Sequence, residues 1–198
     1  MGAMPKISEA AFHQRRARIM DAARKSFSLH GIHVSVDDIC RQAGVSKGAL
    51  YGYFPSKDAI VQAIADEHAA DFAAIRAATD PAALQAALLA RAWQGDSGGF
   101  RLELEAWTYS LNNEALRNRL LANAADLRAS IAEALQGMQA SGAIELHGPA
   151  DAAAAVIETF IIGAVAKGAL GGGAESRETA THLRTLILAL MRLAAPSD

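Results

Sequence analysis

Lys47, Tyr51, Tyr53 and Lys57 bring two ammonium groups and two phenols into one short stretch of chain. Both kinds of group donate hydrogen bonds to phosphate oxygens, and the small Gly48, Ala49 and Gly52 among them allow a backbone to approach the edges of base pairs. The chemistry open to this set is recognition of a nucleic-acid duplex rather than the making or breaking of bonds. Each residue alone also has an ordinary reading, as a solvated surface charge or a core aromatic with a wet hydroxyl. It is their order along the chain that carries the inference.

Local signals supply the elements that hold these groups. Ser35 caps a helix over residues 36 to 43, whose first turn carries Asp37 and Asp38 where the macrodipole favours acids. Val36, Ile39 and Cys40 give that helix one apolar stripe, and Gly44 permits the sharp turn that ends it. Ser46 caps a second helix over 47 to 53, in which Val45 and Leu50 face the first while Lys47, Gly48, Ala49, Tyr51 and Gly52 face outward. Pro55 stops that helix and Ser56 caps the next. Two helices around a tight glycine turn make a helix-turn-helix, whose second helix enters the major groove.

The charge distribution agrees with this division. The chain as a whole has a formal net charge of −2, but residues 1 to 57 hold nine Lys or Arg against four acids, and the remainder holds ten against seventeen. A basic end can approach DNA while an acidic body stays away from it.

The chain resembles the tetracycline-repressor (TetR) family of bacterial transcriptional regulators. The matching residues are Arg-Arg-Ala-Arg-Ile at 15 to 19, Ala-Ala at 22 and 23, Phe27, Gly31, Val-Asp-Asp-Ile at 36 to 39, Ala-Gly-Val-Ser-Lys-Gly at 43 to 48, Leu-Tyr at 50 and 51, and Phe-Pro-Ser-Lys at 54 to 57. The likeness is strong over about the first quarter and lies in helical layout alone thereafter. It implies DNA contacts from Ser35, Lys47, Ala49, Tyr51, Tyr53 and Lys57, with Arg16 near the start of the first helix a further candidate. Gly52 stands where the family often has His, and Ala49 where Thr is common; both departures bear on which operator is read.

At 198 residues and 52% hydrophobic content the chain is long enough to bury a core and to form one small and one larger domain. The single cysteine, Cys40, excludes an internal disulfide and suits a reducing cytoplasm, and no signal peptide is expected. The apolar run from 152 to 166 is interrupted by Glu158 and Thr159 and is expected to be buried by protein rather than by a membrane.

The fold class expected is all-α: a three-helix helix-turn-helix DNA-binding domain over 1–57, then a helical ligand-binding and dimerisation domain over 58–198. Helices are expected at 8–30, 36–43, 47–53, 57–78, 81–94, 99–111, 113–140, 150–169 and 176–194, with no strands. The helix over 57–78 is read as a lever, rooted by Lys57 and Ile60 at one end and by Ile64, Phe72 and Ile75 at the other. The helix over 99–111 is apolar on more than one face and can wall a pocket. Trp93, Phe100, Trp107, Tyr109 and Phe160 would line that pocket, with Glu103, Asn112 and Glu158 orienting a small molecule; an aromatic stripe at this spacing also has the simpler reading of packed core. The last two helices, with Gly163 and Gly168 permitting close approach, are expected to join two copies in a four-helix contact.

Enzyme signatures are missing from the sequence. No nucleophile elbow, phosphate loop or dinucleotide fingerprint is present, no cofactor is implied, and neither His30 with His33 nor His68 with its neighbouring acids has the arrangement of a metal site. The favoured reading is a dimeric, cytoplasmic repressor of a near-palindromic double-stranded operator, released by a small-molecule effector not identified by the sequence. The alternative is a DNA-binding protein of the same fold that acts through protein contacts without an effector.

Overall fold

The computed structural model describes residues 8–69, 72–92, 97–171 and 176–193. Among these run α1 (Glu9–His30), α2 (Val36–Ala43), α3 (Lys47–Tyr51), α4 (Lys57–Ala69), α5 (Ala73–Arg76), α6 (Pro81–Ala92), α7 (Ser97–Ser110), α8 (Glu114–Ala140), β1 (Ile144–Leu146), α9 (Ala150–Gly171), α10 (Ser176–Ala189) and β2 (Met191–Leu193). The protein is all-α in class, a helix-turn-helix domain followed by a helical domain. Two compact units divide the chain, the first reaching Ile64 and the second beginning at Ala65, so that the division falls within α4.

The first unit is built on short-range capping and one small core. Ser8 caps α1 by accepting from the Ala11 amide at 3.3 Å. Ile19, Ala22, Ala23, Ser26 and Phe27 recur at three- to four-residue spacing in α1 and are all buried, as that spacing places them on one face. They share the unit with Ile32, Ile39, Leu50, Phe54 and Ile60, all buried. Removing each large side chain of this set from water contributes about 1.5–3 kcal/mol, enough to hold helices too short to persist alone.

The second unit packs α8, α9, α10 and the shorter helices around one cluster. Leu127, Ile131, Leu135 and Met138 of α8 meet Ala154, Ile157 and Ile161 of α9, with Leu84 and Leu88 of α6 and Leu183 and Ile187 of α10 completing it. Asp80 caps α6, its Oδ1 accepting from the Ala82 and Ala83 amides at 2.9 and 2.8 Å, with Pro81 at the first helical position. Asn113 caps α8 in the same way, accepting from the Leu116 amide.

Two expectations are corrected here. The helix expected over 57–78 does not run through: α4 ends at Ala69 and a separate α5 begins after Phe72, which has no side-chain cap. Phe72, Ile75 and Ala78 are buried in the second unit's core, so α5 is held by packing rather than by a side-chain cap. The last helix also ends early, at Ala189. Residues 191–193 instead pair antiparallel with 144–146, matching Ile144 with Leu193, Glu145 with Arg192 and Leu146 with Met191. Each of these segments is only three residues long, and their ladder joins parts of the chain far apart in sequence.

Candidate nucleic-acid interface

Ser35 and Ser46 set the geometry of the motif by the same device. The Ser35 hydroxyl oxygen accepts from the Asp38 amide at 3.2 Å while donating to Asp38 Oδ2 at 2.6 Å, and Ser46 Oγ accepts from the Ala49 amide at 3.2 Å. Between these caps Gly44 sits at φ 64°, ψ 39°, the left-handed conformation that favours glycine, and its amide bonds back to the carbonyls of Cys40 and Arg41. Arg18 Nη2 of α1 donates to the Ala43 carbonyl at 3.2 Å, tying the end of α2 to α1. Arg18 stands within the Arg-Arg-Ala-Arg-Ile match, but its bond to a carbonyl 25 residues further on has no local signal in the sequence.

With the turn so held, α3 buries Leu50 completely and leaves Lys47, Gly48, Ala49, Tyr51 and Gly52 exposed. A methyl group built on Gly48 would meet nothing within 4 Å, whereas one on Gly52 would lie 3.2 Å from the Ala49 carbonyl oxygen. Gly48 therefore marks an open, smooth spot on this face, and Gly52 a close backbone approach that ends the helix.

The remaining polar groups are each drawn into contacts that spacing alone does not reveal. Lys47 Nζ lies 2.9 Å from Asp37 Oδ1, and this hydrogen bond and charge raise the lysine's pKa, keeping it a cation. The partnership of Asp37 with Lys47 spans the turn and ten residues of sequence, so the helical period does not reveal it. Asp38 is held below the ordinary carboxylate range, chiefly by its bond from Ser35 and then by Arg41 at 2.8 Å. Tyr53 is half-buried, its ring 4.7 Å from that of Phe12. The Arg16 guanidinium lies over the Phe54 ring at 5.0 Å. Lys57 Nζ donates to the Ile32 and Val34 carbonyls at 3.0 and 3.4 Å, clamping the loop between α1 and α2. Burial raises the Cys40 thiol's pKa, as suits a packing residue.

The family of bacterial regulatory proteins called tetR matches residues 19–64, the segment that contains both serine caps, the Gly44 turn, Lys47, Tyr51, Tyr53 and Lys57. This segment of the chain is a tetR-family regulatory segment. The chain is similar along most of its length to the transcriptional repressor AcnR of Corynebacterium diphtheriae, at 28% identity over 91% of this chain and 94% of that one. It is similar also to the repressor Rv1474c of Mycobacterium tuberculosis, at 29% identity over 85% and 89%. Among solved structures it is similar to Salmonella enterica GusR, with a TM-score of 0.75 and 26% identity over 93% of this chain and 98% of that one. The protein is a DNA-binding transcriptional regulator and not an enzyme.

The residues read as an effector pocket all belong to the second unit. Trp93 lies outside the described residues, as does the side chain of Phe100. On α7, Glu103, Trp107 and Tyr109 are half-buried, and Asn112 just beyond it is exposed. Glu158 and Phe160 are half-buried on α9, and Phe160 packs against the core. Glu158 Oε2 lies 3.8 Å from Arg128 Nε, and its side chain is 13% exposed. Burial raises the pKa of both Glu103 and Glu158, opposed by Arg91 for the first and by Arg128 for the second. α7 and α9 pack on each other and both pack on α8, so this set sits on adjoining helices.

Proposed function

We propose that this regulator acts as a two-fold homodimer that represses transcription from a near-palindromic double-stranded operator and is released by a small-molecule effector held in its second unit. The observation that carries the DNA half of this reading is α3, whose one large apolar side chain is wholly buried while Lys47, Gly48, Ala49 and Tyr51 stand exposed together. In this reading Lys47 and Tyr51 meet phosphates, Gly48, Ala49 and Gly52 lie against base edges, and Ser35, Tyr53, Lys57 and Arg16 flank them. The repressor sense is supported by the two similar repressors, and the cytoplasm is where such a protein meets its operator.

The dimer is proposed through α9 and α10. Within residues 150–170 the most apolar stretch has a mean hydropathy of 1.7, enough by length and composition to cross a membrane, yet only a third of that stretch is buried within the chain. Val156, Ile162 and Leu188 remain exposed on these two helices. Ala153, Ala154, Ile157, Ile161 and Val165 of the same α9 are committed to the second unit's core, and Glu158 is paired with Arg128. A second copy therefore covers the outer face better than lipid does. The effector is proposed to lie among Glu103, Trp107, Tyr109, Asn112, Glu158 and Phe160; Trp93 and the Phe100 side chain, read from the sequence as part of the same site, lie outside the described residues.

Selection of bound duplexes from a random pool, using the full chain, tests the first half. Inverted half-sites with centres about 34–36 Å or a multiple apart are expected, with two chains per duplex in sedimentation. Enrichment of no symmetric sequence, or binding by single chains, refutes the dimeric operator reading.

A further inference from the structure

In the second unit, the cation at the end of α6 has an unmet donor. Arg91 is half-buried, its guanidinium lies over the Phe72 ring at 5.9 Å, and its Nε–H is buried without an acceptor among the described residues. A guanidinium keeps its charge at any physiological pH, and a buried N–H lacking an acceptor forfeits the hydration it had in the unfolded chain. Native structures meet nearly all such donors, so an unmet one calls for an explanation, of which an absent ion or ligand is one. Phe72 is itself buried, giving the guanidinium a rigid apolar floor.

The identity of the unmet atom narrows the chemistry. Nε–H and the neighbouring Nη–H form the side edge of the guanidinium, two parallel donors at the spacing of the two oxygens of one carboxylate. A neutral hydroxyl or amide ligand fills one of these donors, whereas a carboxylate fills both and supplies the missing charge. Glu103 on α7 is the acid whose field Arg91 opposes, but its burial disfavours the anion, so it is a poor permanent counter-ion. Protonated, it can donate to a ligand oxygen.

We propose that Arg91 is the anchor of the effector site and that it takes a small organic carboxylate, gripped through Nε–H and Nη–H, with Phe72 beneath the guanidinium and Glu103 as the second polar contact. This rests on the reading of the second unit as an effector domain.

The test is isothermal titration of the full-length protein with a graded set of monocarboxylates, from butanoate to phenylacetate, each beside its own carboxamide. At least one acid is expected to bind about tenfold or more tightly than its amide, since the amide fills only one of the two donors and brings no charge. Arg91→Met is expected to abolish that preference, and Arg91→Lys to restore part of it without the two-point grip. Equal affinity of acids and amides, binding of none of the acids at millimolar concentration, or an unchanged acid preference in Arg91→Met overturns the proposal. Because the acid-to-amide ratio is read first in the unaltered protein, a variant that fails to fold does not decide the matter. The same compounds are then added to the protein bound to its selected operator. Release by a neutral or cationic compound alone leaves the effector reading standing and removes the carboxylate; Arg91-dependent acid binding without release does the reverse.

Discussion

Lys47 of α3 reaches back across the turn to Asp37 of α2, its Nζ 2.9 Å from Oδ1 and donating to Oδ2 at 3.1 Å. The cation proposed for phosphate contact is thus already partnered before DNA arrives, and the partner is exposed enough for a phosphate to compete with it. Lys47→Ala is expected to weaken operator binding and to lower the slope of log K against log salt by about 0.9, the value for one phosphate. Asp37→Asn is expected to move affinity the other way, most at low salt, because a repelling carboxylate is removed while the lysine stays. Anisotropy titrations over a salt series measure both; an unchanged slope in Lys47→Ala removes that residue from the phosphate backbone.

Gly48 separates folding from recognition. Its outward position is open, so Gly48→Ala is expected to stabilise the protein by up to about 0.5–1 kcal/mol through helix propensity while weakening DNA binding by placing a methyl group on the reading face. Thermal melting and operator titration of the same variant should move in opposite directions. Gains in both would mean that this face does not approach bases closely.

Lys57 is expected to matter more to the fold than to the salt slope. Lys57→Met removes a cation that holds the Ile32 and Val34 carbonyls, at a cost of about 1–3 kcal/mol in denaturant unfolding of the first unit. A variant as stable as the parent but with a lower salt slope would place Lys57 on phosphate instead.

Glu158 ties stability to pH. Burial raises its carboxyl above the ordinary 4.5, with Arg128 opposing. Such a group favours the folded state when protonated, so its contribution is present below pH 4.5 and is lost as pH rises through the folded-state value. Glu158→Gln should therefore gain stability relative to the parent as pH climbs from 4 towards neutrality, as read by urea unfolding at each pH. A difference between the two proteins that does not change with pH refutes the assignment.

The caps, the left-handed glycine and the buried Leu50 were legible in the sequence because each acts over three or four residues. A serine reaching the amide three positions on, or a glycine closing a turn, needs no knowledge of the rest of the chain. The exposed face of α3 followed from the same local period, and the family resemblance extended it to Ser35 and Arg16. What tertiary structure decided is where the long side chains end. Lys57 finds carbonyls more than twenty residues back, Arg16 settles on Phe54, Tyr53 on Phe12, and Lys47 on an acid of the preceding helix. The antiparallel pairing of 144–146 with 191–193 and the break between α4 and α5 belong to the same class. Flexible side chains and three-residue strands have little intrinsic preference, so their partners are set by whatever the assembled core brings within reach.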